Sequence, residues 1–347
     1  MINYFTDKSF LIPENRKRVF PLLFQIHYLK NENIVAFYQV QNSIETANLV
    51  IVPLDIIYFF NSKTQKWLYN FIDEALKKDK KVWVYTSDDL GITLNRPVYT
   101  FRFGGFESKM NDKTIVMPSF LEDPYIHVLN KKFEIIPKSL MPKIGFVGQA
   151  NGGLITYFRE FLIYLNYNFK ILIKTHHSDY QPFYPIGFRR FSKLKKMEND
   201  TEIETDFIYR KKYRDGVKTS LQRQKSTVTF FENIFNNPYT FCMRGGGNFS
   251  VRFYEALIMG RIPVVLNTDI RLPFYKNMDW NIHCVLVSEN NFLDEFKNFH
   301  KQCADLNFEK MQVENRNLGL KICNSESYFI LIHHIFEDFN CNLNQFF

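Results

Sequence analysis

The sequence predicts an α/β protein made of two units, each a mostly parallel sheet flanked by helices. The first half alternates apolar β-rich runs with helical patterns, which is the signature of stacked βα units. A strand, a glycine turn and a helix follow one another at residues 143–165 and again at 240–259, the second time leading into an apolar strand at 262–266. The length of 347 residues and an apolar content of 46%, with 17% aromatic, suffice for two cores and exclude a disordered chain.

Residues 48–53 (NLVIVP) and 81–85 (KVWVY) read as buried strands. Between them, residues 65–78 place Leu68, Ile72, Ala75 and Leu76 at helical spacing with lysines opposite, as a surface helix requires. Residues 114–118 (TIVMP) form a further strand, and Pro137 and Pro142 bracket a polar seam at 131–142 where the first unit ends. Residues 143–147 then read as a strand, 148–153 as a turn, 154–165 as a helix and 170–174 as another strand. The basic stretch 179–225 is irregular and reads as loops rather than a third domain. Residues 325–340 make a terminal helix, with Ser325 as its cap and Tyr328, Leu331, Ile332, Ile335, Phe336 and Phe339 on its apolar side.

A formal charge of +8 favours anionic partners, and no zinc-finger, RNP-like or helix-turn-helix signature accompanies it, which argues against nucleic acid. No apolar run is long enough to cross a bilayer, and the opening MINYFTDKSF lacks the features of a secretory leader, so a cytoplasmic chain is expected. The five cysteines are scattered without a Cys-x-x-Cys pair, so neither zinc nor a redox centre is expected.

The most informative segment is 239–265, YTFCMRGGGNFSVRFYEALIMGRIPVV. Gly245, Gly246 and Gly247 let backbone approach a ligand, and Asn248 or Ser250 can cap the helix that follows. The free N–H groups at that helix start suit a diphosphate. Arg244 adds a fixed bidentate charge, and Arg252 with Glu255 three residues on shares one helix face, where a carboxylate can accept both hydroxyls of a ribose. The plain alternative is a tight βα turn with a structural Arg–Glu pair.

This segment and its continuation resemble the exostosin family, the inverting transferases of glycosyltransferase family 47. Cys242, the glycine loop, Arg252, Glu255, Gly260, Pro263-Val264, Leu272-Pro273, Trp280 and then 285–289 (VLVSE) occur in the family's order. Residues 46–55 and 113–119 match more loosely, and the arginine-rich form RGGGNFSVRFYE is similar to the bacterial branch. The resemblance implies a GT-B fold, with two Rossmann-like domains facing a cleft. Residues 1–140 are then the acceptor side, 141–324 the nucleotide-sugar donor side, and 325–347 a helix crossing back to the first domain. It further implies inverting transfer of a sugar from a nucleotide sugar to a cell-surface glycan or lipid-linked precursor. No Asp-x-Asp motif occurs, in keeping with cationic side chains rather than a metal stabilising the leaving diphosphate. No metal and no cofactor beyond the donor substrate is expected. A GT-B-fold sugar-nucleotide epimerase and a non-catalytic glycan-binding protein are the alternatives.

Inverting transfer needs a base from the first domain, and ligands of open parallel sheets gather beyond the carboxyl ends of strands. Asp55, Asp88 and Asp89 stand there, with Asp88 preferred and Asp55 better explained as a helix cap. Arg210 and Arg214 precede the glycine motif and either reach the diphosphate or form a solvated basic face. His176 and His177 read as a loop pair rather than metal ligands. Residues 183–197 (FYPIGFRRFSKLKKM) mix aromatic and basic side chains suited to an anionic membrane, against the alternative of a loop packed on its own domain.

Overall fold

The computed structural model describes residues 1–210, 216–338 and 341–343. Two wholly parallel sheets organise them. The first contains β1 (Ile2–Phe5), β2 (Tyr38–Val40), β3 (Leu49–Ile51), β4 (Lys81–Tyr85), β5 (Tyr99–Arg102) and β6 (Thr114–Val116), in the order β2-β1-β3-β4-β5-β6. Its helices are α1 (Pro21–His27), α2 (Glu32–Val35), α3 (Ile56–Asn61) and α4 (Gln65–Lys77). Strand β4 is buried beyond its first residue, as a central parallel strand covered on both faces must be, and α4 turns Leu68, Phe71, Ile72 and Ala75 inward.

The second sheet contains β7 (Lys143–Gln149), β8 (Glu204–Arg210), β9 (Tyr239–Cys242), β10 (Ile262–Asn267) and β11 (Val285–Ser288), in the order β11-β10-β9-β7-β8. Seven helices accompany it among the described residues: α5 (Leu154–Leu172), α6 (Ile186–Glu198), α7 (Ser220–Asn236), α8 (Val251–Ile258), α9 (Phe292–Gln302), α10 (Asp305–Ile322) and α11 (Ser325–Glu337). A capping box between Thr219 and Gln222 starts α7.

The last helix returns to the first sheet. The Tyr38 hydroxyl donates to the Phe329 carbonyl at 2.7 Å, and Glu326 accepts from Asn31 and Asn33. Two α/β domains and a returning C-terminal helix make up the GT-B arrangement. An apolar cluster runs from Phe20, Trp83 and Phe101 through Tyr328 and Phe329 to Tyr254 and Leu257 on α8, while a second cluster fills the other side of the second sheet.

Three local expectations change, and for residues 183–197 the alternative of packing on their own domain is the one seen. Residues 170–174 are not a strand, because α5 continues through Leu172; in KILIK the alternation is the tail of a helix. The stretch 179–225 is not mainly loop, since it holds α6, the edge strand β8 and the start of α7. Within it, residues 183–197 pack on their own domain: Leu194 and Met197 are buried, and Phe191 lies under Gly152 and against the Tyr209 ring. Asn324 rather than Ser325 caps α11, its Oδ1 accepting from the Ser327 N–H at 3.0 Å. Phe339 of the expected helix, and Arg214, lie outside the described residues.

Candidate active site

The loop from Met243 to Ser250 joins β9 to α8 at the carboxyl end of the second sheet. It folds on itself, with the Gly245 N–H donating to the Phe249 carbonyl at 2.9 Å. Neither expected cap bonds the helix. Ser250 takes the N-cap position without a side-chain bond, and Asn248 is turned away, its Nδ2 within 3.1 Å of the carbonyls of Gly105, Thr268 and Asp269. Asn248 therefore fastens the loop to the first domain, and the helix-start N–H groups keep no side-chain cap.

The three glycines have different neighbours. A Cβ on Gly245 would meet nothing closer than 3.9 Å, and one on Gly246 only the Asp89 carboxylate, also at 3.9 Å. On Gly247 it would reach 1.8 Å from the Asp89 carbonyl oxygen. Gly245 and Gly246 open onto the cleft, whereas Gly247 lets the two domains touch. Gly247→Ala is accordingly expected to lower stability by about 1–3 kcal/mol through overpacking, read as a shifted urea midpoint, with Gly245→Ala close to the parent protein.

Three arginines meet behind this loop. Arg252, from the first turn of α8, donates Nη2 to the Val147 carbonyl at 2.7 Å and lies 4.3 Å from the Phe146 ring centroid. Gly148 leaves it room, since a Cβ there would stand 2.9 Å from Nη2. Arg190 of α6 donates to the carbonyls of Gln149 and Arg244, each at 2.9 Å. Arg244 is buried between the rings of Phe106 and Tyr184, and its bonds to Gln181 Oε1 and the Gly246 carbonyl are long, at 3.4 and 3.3 Å.

In all three, the Nε–H is shut from solvent and finds no acceptor in the protein. Burial disfavours the charged form of each. It lowers the pKa of Arg190 to about 10, with the Arg252 charge adding to the effect. Arg244 and Arg252 are lowered as well, with Tyr184 and Glu289 opposing at Arg244, and Cys242 and Glu255 opposing at Arg252. Arg210, at the end of β8, bonds the Ser226 carbonyl at 2.7 Å and lies near enough to Arg252 to repel it. Such a concentration of buried positive charge suits an anion that brings several acceptors.

The first domain supplies the opposite wall. Asp89 is exposed at the cleft beside Gly246, yet partial burial of its carboxyl, and then the Asp88 charge, push its pKa up. Asp88 faces elsewhere: Oδ1 accepts the Leu90 N–H at 3.1 Å and Oδ2 the Ser178 hydroxyl. Next to it, a cavity of about 300 Å³ is lined by Ile57, Phe60, His176 and His177, with His177 stacked on Phe60. Asp55 caps α3 through the Ile57 N–H at 3.0 Å and accepts from Ser87; burial raises its pKa against those bonds. Buried Arg102 fixes this wall, pairing with Asp179 at 2.8 Å and bonding the carbonyls of Leu90 and Gly104.

Sequence reasoning missed Arg190, Gln181, Tyr184 and Glu289. The Tyr184 hydroxyl donates to Glu289 Oε1 at 2.5 Å, holding the ring that covers Arg244. The signals present were the arginine pair in a stretch that read as loop and, for Glu289, its place at the end of 285–289 (VLVSE).

Among solved structures, a glycosyltransferase from Rickettsia africae ESF-5 aligns over 97% of this chain and 99% of its own, at 11% identity and a TM-score of 0.38. The spinosyn rhamnosyltransferase SpnG complexed with thymidine diphosphate aligns over 96% and 100%, at 9% identity and a TM-score of 0.35. The probable glucuronosyltransferase GUT1 of Oryza sativa subsp. japonica is 33% identical over 63 residues, covering 18% of this chain and 15% of the relative. The chain thus spans about 15% of the length of the curated relatives it matches. Residues 189–302, which include Arg190, the glycine loop, α8 and Glu289, match the family of the Exostosin GT47 domain.

Proposed function

We propose that the protein is an inverting glycosyltransferase. It binds a nucleotide sugar at the carboxyl end of the second sheet and passes the sugar to a glycan or lipid-linked precursor held against the first domain, on the cytoplasmic side of the membrane. The observation that carries this reading is the group of three buried Nε–H groups without acceptors, beside the open Gly245 and Gly246. In this reading residues 1–140 are the acceptor half and 141–324 the donor half. Arg244, Arg190 and the N–H groups at the start of α8 take the diphosphate, with Arg210 and Arg252 adding to the positive field. Glu255 accepts the ribose hydroxyls. As the glycosidic bond breaks, the guanidinium groups meet the charge growing on the leaving diphosphate, so the step calls on no metal ion. Asp89 takes the proton of the acceptor hydroxyl.

Nucleoside diphosphates and sugar nucleotides are expected to raise the melting temperature, a ligand at a hundred times its Kd adding about 2.7 kcal/mol. Glu255→Gln should raise that Kd at least tenfold by calorimetry, roughly the value of one charge-assisted hydrogen bond. Melting unmoved by every such nucleotide would overturn the reading. A sugar nucleotide converted to its isomer in the absence of acceptor would make the protein an epimerase instead.

A further inference from the structure

Helix α5 carries its apolar face outward. Thr156 is its one buried residue, whereas Ile155 is 87% exposed, Leu172 78%, Leu162 64% and Phe158 60%. At about 100° per residue, these four together with Leu165 and Phe169 fall within roughly 100° of arc, along about 25 Å of helix. A helix of a globular domain ordinarily turns such a stripe to its core. Here the opposite flank meets the domain, with Tyr157 edge-on to Phe183 and Phe188 at 5.5 Å. An outward apolar face of this size marks an interaction surface.

The charges around it select the occupant. Arg159 and Lys170 border the stripe and Lys174 follows it, all exposed. The helix's one carboxylate, Glu160, is turned inward and accepts the Gly187 N–H at 3.0 Å. A second copy of the chain would set these cations against each other with no carboxylate on the face to answer them. Anionic phospholipid answers both features: the stripe enters the acyl boundary and the cations sit among the headgroups. Among the described residues no helix is long and apolar enough to cross a membrane, so α5 can only lie along one.

We infer that α5 docks the protein on an anionic bilayer. The helix starts a few residues after β7, the strand whose Gly148 makes room for Arg252, and ends at the loop lining the cavity beside Asp88. A bilayer along α5 therefore lies next to the cleft. The inference stands without the transferase reading, and together with it favours an acceptor carried on lipid.

The test is co-sedimentation of the full chain with vesicles of phosphatidylcholine containing about a third phosphatidylglycerol, with phosphatidylcholine alone as control. The protein should bind the anionic vesicles, bind the neutral ones far less, and be released by salt. Leu162→Glu with Phe169→Glu should lower the partition coefficient at least tenfold without moving the melting temperature. Arg159→Gln and Lys170→Gln should each cost about fivefold on anionic vesicles, the equivalent of about 1 kcal/mol per charge. No binding to either vesicle, or a partition unchanged in the double glutamate variant, overturns the inference. So does a dimer, seen by light scattering, that the same variant dissolves while vesicles go unbound. The melting shift with nucleotide, measured on the same samples, reports on the donor site alone.

Discussion

Asp89→Asn is expected to leave nucleotide affinity within about twofold and to lower glycosyl transfer at least a hundredfold, the usual contribution of a positioned general base. Asp89 is the carboxylate that faces the glycine loop, whereas both oxygens of Asp55 are bonded within the first domain and those of Asp88 are taken by the Leu90 N–H and the Ser178 hydroxyl. The sign of the pH dependence follows from its raised pKa. The base acts as carboxylate, so transfer is present above that pKa and lost as pH falls through it, in a limb displaced upward from the ordinary aspartate range. Stability runs the other way. A carboxyl whose pKa is higher in the folded than in the unfolded chain weakens the fold above the folded pKa, and that burden is relieved as pH falls through it. The Asn variant should therefore be at least as stable as the parent at neutral pH, separating a lost base from a damaged fold. Near-normal transfer in Asp89→Asn, with loss in Asp88→Asn, would move the role to Asp88.

Arg244→Met is expected to lower turnover by about a hundred- to a thousandfold, as removal of one preorganised donor does. Arg244→Lys should fall between, keeping the charge and losing the fork. Arg244 is the least engaged of the three arginines, its protein bonds being the longest. A buried cation held by two aromatic rings and no bonded carboxylate costs the fold something, so an apolar replacement should leave the unfolding midpoint unchanged or raised. Arg252→Met should behave differently and lose stability too, since Arg252 ties α8 to the Val147 carbonyl. Full turnover in Arg244→Lys and Arg244→Met alike would leave these arginines with a structural part only.

The two central strands of the first sheet and the run β9-α8-β10 were legible because their apolar patterns are continuous and bounded by glycine or proline. The tail of α5 was not, because KILIK alternates as a strand does and only its continuity with the preceding turns makes it helical. Helix α6 and strand β8 were hidden for another reason: lysines and arginines crowd a short helix, and an edge strand is half exposed, so neither shows a clean period. In the site, Arg244, Arg252 and the glycines could be found by their place in one motif. Arg190 meets the Arg244 carbonyl across 54 positions of chain, a contact that no local pattern encodes. Nor can sequence tell which of two adjacent aspartates turns toward a cleft. That choice depends on Ser178, which reaches Asp88 from 90 positions away.

The apolar cluster that joins the first sheet to α11 and α8 leaves the two halves without a seam between separate interiors. The first sheet, α11 and α8 are therefore expected to unfold together, because losing α11 uncovers Phe20 and Trp83 on one side and Tyr254 on the other. Polar bonds tie the halves together as well, Asp269 accepting from Ser108 and Arg271 donating to Glu107, so any opening of the cleft has to loosen these bonds while the shared interior stays packed.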